Sequence, residues 1–106
     1  MLNKKTVLFE ESISIGEFDP SADGAYRNVK TFPLIVKRGR IFISADSDKP
    51  VDIALSDSDG ICIKFKNSII SDTIGPIELT RKQTVTLMVG VYKGDKAELG
   101  IKVWME

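Results

Sequence analysis

The chain has 106 residues, with 15 basic side chains balancing 15 acidic ones, no histidine and one cysteine. That length suits a single domain, residues 1–106, with one core that needs neither disulfide nor metal, and the charge balance gives no global field to attract nucleic acid or an anionic membrane. Without histidine the usual acid–base residue near neutral pH and the commonest zinc ligand are missing, so cysteine-protease and zinc-finger chemistries fall away.

The N-terminal stretch MLNKKTVLFEES carries two lysines with no long apolar run behind them. Neither a signal peptide nor a membrane span is read there, and a cytoplasmic location is expected. Val7, Phe9, Ile13 and Ile15 share one parity, against Glu10, Ser12 and Ser14, which predicts a half-buried first strand. The polar connection GEFDPSADGAYR follows, rich in turn residues.

NVKTFPLIV and RIFISA are the next two strands. A two-residue turn at Arg38-Gly39 would pair Val36 with Ile41, Leu34 with Ile43 and Phe32 with Ala45, leaving Ile35 opposite Phe42 on the other face. Pro33 cannot donate to a ladder, so its strand belongs at an edge or a bulge. Lys37, Arg38 and Arg40, with Lys30, form a small basic cluster that reads as edge protection rather than a phosphate site.

VDIALSDSDGICIKF places aspartates between two apolar arms. With Ser58-Asp59-Gly60 as a three-residue hairpin loop, Leu55 faces Ile63 and Ile53 faces Phe65. An EF-hand loop is excluded, because Leu55 and Lys66 stand where an aspartate and a glutamate are required. A looser calcium site built from Asp46, Asp48, Asp57 and Asp59 is the alternative to solvated turn aspartates, and the turn reading is preferred, with no metal and no cofactor. As enzymatic acids the same carboxylates are too wet to have useful proton affinities. Cys62, between Ile61 and Ile63, is expected as a small buried or half-buried filler rather than a nucleophile.

KNSIISDTIGPIELTRKQ reads as a second long connection with a short strand at Ile77 and Leu79 and no helix, since Gly75-Pro76 interrupts it. The chain closes with TVTLMVGVYKGDKAELGIKVWME. Val85, Leu87, Val89 and Val91 share one parity, as do Ala97, Leu99, Ile101, Val103 and Met105, and a hairpin with a three-residue loop within Lys93–Lys96 would put both rows on one face. The other face then carries Met88, Gly90 and Tyr92 beside Glu98, Gly100, Lys102 and Trp104. Thirteen isoleucines beside three asparagines and one glutamine point to a thermophile or an AT-rich genome.

Seven or eight short strands without a helix predict an all-β, antiparallel, jelly-roll-like β-sandwich. Residues Phe32 to Gly60, with Lys37 to Gly39 at a turn, Ser44 to Asp48 ending a strand, Val51-Asp52-Ile53-Ala54-Leu55, and Asp57 to Gly60, resemble small sandwich modules of the GOLD and pre-peptidase C-terminal type. That resemblance implies a non-catalytic interaction module, although its members are usually secreted or lumenal and attached to larger proteins. The expected function is therefore binding or assembly with a protein partner or a second copy, not enzymatic. The expected partner surface is Trp104, Tyr92, Met88, Gly90, Gly100 and Lys102, a flat aromatic patch. The alternative is a carbohydrate or small-ligand module in which Trp104 and Tyr92 stack on a sugar and Lys102 and Glu98 orient it.

Overall fold

The computed structural model describes residues 5–16, 26–92 and 96–106, and the side chains of residues 26–28 are not described. Six strands run antiparallel: β1 Thr6–Ile15, β2 Tyr26–Val36, β3 Gly39–Ser56, β4 Cys62–Leu79, β5 Gln83–Tyr92 and β6 Ala97–Met105. The all-β antiparallel expectation holds, and no helix occurs among the described residues. Among the described residues the count is six rather than seven or eight because β3 and β4, at 18 residues each, run through stretches read above as breaks.

β3 organises the molecule by changing partner midway. Its first half pairs with β6, from Ile41 opposite Met105 to Ser47 opposite Leu99, and its second half pairs with β5, from Asp52 opposite Gly90 to Ser56 opposite Thr86. The change falls at Ser47–Pro50. There the β3–β4 register jumps from Asp46 opposite Ser71 to Val51 opposite Ile69, a bulge in which Pro50 has no N–H to place. Ser47 Oγ donates to the Lys49 carbonyl at 2.6 Å and accepts its N–H at 3.3 Å, so the side chain serves backbone that the ladder has released. One arm is thus β1-β6-β3-β4 and the other β2-β5-β3-β4.

Both C-terminal parity rows are buried as expected, Val85 to Val91 and Ala97 to Met105. The predicted β5–β6 hairpin does not form, however, since β5 pairs with β2 and β3 while β6 pairs with β1 and β3. Its loop residues 93–95 lie outside the described residues, as do residues 17–25 of the first long connection. The β2–β3 hairpin is likewise absent: β2 pairs with β5 alone, at the end of the strand order, where Pro33 was expected to put it. The physical reason is common to both. Parity decides which face a side chain takes, not which strand lies beside it, and rows from the two arms can merge in one core without sharing a ladder. They do merge: Val36 and Leu34 from one arm and Ile41 and Ile43 from the other belong to a single buried cluster. Phe9 of β1 and Phe32 of β2 join the outer strands, with ring centroids 4.8 Å apart.

Two one-residue bulges redirect apolar side chains. In β1 the register slips between Val7 and Phe9, which turns Val7 outward, 48 % exposed. In β4 the expected loop forms: Gly60 N–H bonds the Asp57 carbonyl at 3.0 Å, Asp57 N–H bonds the Ile61 carbonyl at 2.9 Å, and Gly60 takes φ +80°, the left-handed conformation that closes such a turn. Beyond Cys62, opposite Ser56, the register slips, so that Lys64 faces Leu55 and Phe65 faces Ala54. The predicted pairs Leu55/Ile63 and Ile53/Phe65 are therefore corrected by one residue. Ile53 and Leu55 are buried, Ile63 is half-buried against the core, and Phe65 turns to the outer face, 55 % exposed.

Candidate ligand groove

The outer face of the β2-β5-β3-β4 arm is not flat. Its rows are Val29–Gly90–Asp52 and Thr31–Met88–Ala54–Phe65, with Cys62 beside Ser56 in the next row. Gly90 and Ala54, the smallest side chains, sit at the centre between larger ones, so the sheet itself supplies a dent. Val29, Met88, Phe65 and Cys62 wall a groove of about 310 Å³ floored by Ala54, Gly90 and Asp52. Cys62 is exposed here, not the buried or half-buried filler expected, because it lies opposite Ser56, on the outward parity that Asp52 and Ala54 share.

Asp52 is the unusual member, at 6 % exposure among apolar neighbours. Its Oδ1 accepts the N–H of Ser68 at 2.9 Å, which fixes a residue held at φ 55° in the β4 backbone. Its Oδ2 is buried without a hydrogen-bond partner. A buried acceptor left unsatisfied costs about 1–3 kcal/mol, and more when charged, which the single hydrogen bond from Ser68 has to offset.

The six residues expected to form one patch are divided between the arms. Met88 and Gly90 line the groove, and Tyr92 lies further along the outward row of β5, exposed and opposite Tyr26. Gly100, Lys102 and Trp104 are on β6, across the β3 crossover. There Trp104 is half-buried, stacked on Phe42 with centroids 5.5 Å apart and planes 9° apart, while Lys5 Nζ lies 4.2 Å from the ring centroid. The parity argument that points Trp104 away from the core therefore agrees with its place on the outer face, but its ring is taken up by intramolecular neighbours. Lys102 pairs with Glu10 at 3.4 Å, and Gly100 opens a polar trough with Ser12, Ser44 and Asp46.

The turn aspartates are occupied by their own backbone and neighbours. Asp57 Oδ1 accepts the N–H groups of Asp59 and Ile61 at 2.9 and 3.0 Å, Asp59 pairs with Arg81 at 3.3 Å, and Asp48 accepts the Glu98 N–H at 2.9 Å. Among the described residues they form no common cluster. What sequence reasoning missed was Asp52. The signal was available in Val51-Asp52-Ile53-Ala54-Leu55, where an acid and an alanine occupy the outward parity of a strand that is otherwise apolar.

No family model and no curated protein matches the sequence. Among solved structures, the chain is similar to a carbohydrate-binding module, CBM36, in complex with calcium and xylotriose. The TM-score is 0.43 at 10 % identity, covering 96 % of this chain and 99 % of that one. At that level the likeness assigns no ligand to this chain.

Proposed function

We propose that this protein is a non-catalytic binding module, built as a jelly-roll-like β-sandwich from its two arms, and that a small ligand seats in the groove of the β2-β5-β3-β4 arm. The observation that carries this reading is Asp52, a carboxylate more than nine-tenths buried, with one oxygen unpartnered, at the floor of an apolar groove. Concave, mainly apolar sites with a few placed polar groups are the usual form of small-ligand sites. Catalysis has no comparable support: the sequence holds no histidine, and the cysteine at the groove has neither a histidine nor a described cation beside it to favour the thiolate. An interaction face around Trp104 is less favoured, because Phe42 of β3 and Lys5, just before β1, already cover the indole.

The test is to fill the groove. Ala54 is half-buried and outward, so Ala54→Leu adds bulk toward the groove rather than to the core. A small-fragment screen followed by amide chemical shifts should find binders whose perturbations centre on Ala54, Phe65, Met88 and Gly90, and Ala54→Leu should abolish them. Binding that survives the leucine, or that centres on β6, defeats the reading.

A further inference from the structure

The nature of the groove narrows the nature of its ligand, on the footing that the groove is the binding site proposed above. Oδ2 of Asp52 can only accept. An anionic ligand would be repelled, and a purely apolar one would supply no donor to an oxygen that is already cut off from water. Ser68 N–H already occupies Oδ1, and among the described residues the groove lining supplies no lysine or arginine to neutralise the carboxylate. The complementary occupant is therefore a donor that also brings positive charge, since charge-assisted hydrogen bonds are the stronger ones.

The walls describe the rest of it. Phe65 presents an exposed ring, and Val29 and Met88 present apolar surface, which suits an apolar body beside a cationic head. A volume of about 310 Å³ equals roughly ten waters at about 30 Å³ each, enough for one ring or a short alkyl chain. We infer that the groove binds a small organic ammonium, a protonated primary amine on a compact apolar body, with the buried Asp52 carboxylate turning Oδ2 toward the groove to accept from the ammonium.

Three probes of one shape separate the possibilities: benzylamine, which is protonated at neutral pH, benzyl alcohol and phenylacetate, each titrated into the full chain and followed by amide chemical shifts. Benzylamine should bind at least tenfold tighter than benzyl alcohol, and phenylacetate should not bind. Asp52→Asn should reduce benzylamine to the level of the alcohol, with the folded spectrum retained, and Ala54→Leu should block both. Equal binding of amine and alcohol, unaffected by Asp52→Asn, overturns the ammonium and leaves the groove standing. If no probe shifts groove resonances, or Ala54→Leu changes nothing, groove and ammonium fall together. A lysine-bearing pentapeptide that binds the groove where benzylamine does not would overturn the small-ligand assignment in favour of a protein partner.

Discussion

Replacing Asp52 by asparagine tests whether its second oxygen is as solitary as it stands. Removing a member of a paired buried charge ordinarily costs about 3–5 kcal/mol, because the partner is stranded. Asp52 has no charged partner to strand. Asparagine can still accept the Ser68 N–H through Oδ1, at a loss of about 1 kcal/mol as that bond changes from charge-assisted to neutral. Against this, the substitution removes a charge from a site 6 % exposed, but the amide Nδ2 takes the place of Oδ2 and is stranded in its turn, so that exchange is about neutral. Asp52→Asn should therefore change stability by no more than about 1 kcal/mol in either direction. With a urea slope of about 1–3 kcal/mol/M for a small domain, the midpoint should move by less than about 1 M at unchanged slope. A fall of about 3 kcal/mol or more, the cost of breaking a buried pair, would mean that Oδ2 has a stabilising partner, and the main argument for the groove would be lost.

Other positions separate backbone from packing. An alanine Cβ at Gly75 would lie 2.8 Å from the Ile41 carbonyl oxygen and 3.0 Å from Phe42 Cδ1, at φ +134°. Gly75→Ala should cost about 3 kcal/mol or more in urea unfolding, while Gly100→Ala, with open space around its Cβ, should change stability by less than about 0.5 kcal/mol. Leu87→Ala, at a fully buried side chain, should cost about 2–5 kcal/mol by the same measurement. The hydrogen bond from Lys66, and then that from Thr73 N–H, hold the Asp72 carboxyl below its ordinary range. A depressed folded-state value stabilises above the unfolded pKa of about 3.9 and is lost as pH falls through the folded one. The stability difference between wild type and Asp72→Asn should accordingly be constant above about pH 5 and shrink below about pH 4, as read by urea titrations across that range.

The class of fold was legible because period-two rows are local and unambiguous: Val85 to Val91 and Ala97 to Met105 alternate without a break, and both rows are buried. Strand partnership was not legible, because the same rows satisfy a hairpin or a crossing between arms equally well. The bulges were hidden for a different reason. Nothing in Cys62-Ile63-Lys64-Phe65 signals an extra residue, yet the slip there turns Phe65 from the core to the groove wall. Likewise Ser47 to Pro50 looks like a strand end, yet β3 continues past it, with the Ser47 side chain bonding to Lys49. The candidate site follows from these two irregularities. Met88 and Gly90 could be picked from the outward parity of β5, whereas their neighbours Asp52, Ala54 and Phe65 became neighbours only through the change of partner in β3 and the slip in β4.

The most direct measurement is an experimental structure of the protein soaked with benzylamine. The ring is expected between Phe65, Met88 and Val29, with the amine nitrogen about 2.7–2.9 Å from Asp52 Oδ2, the span of a charge-assisted hydrogen bond. Benzylamine seated instead against Trp104 or in the trough at Gly100, with the Asp52 groove holding only water, would contradict it.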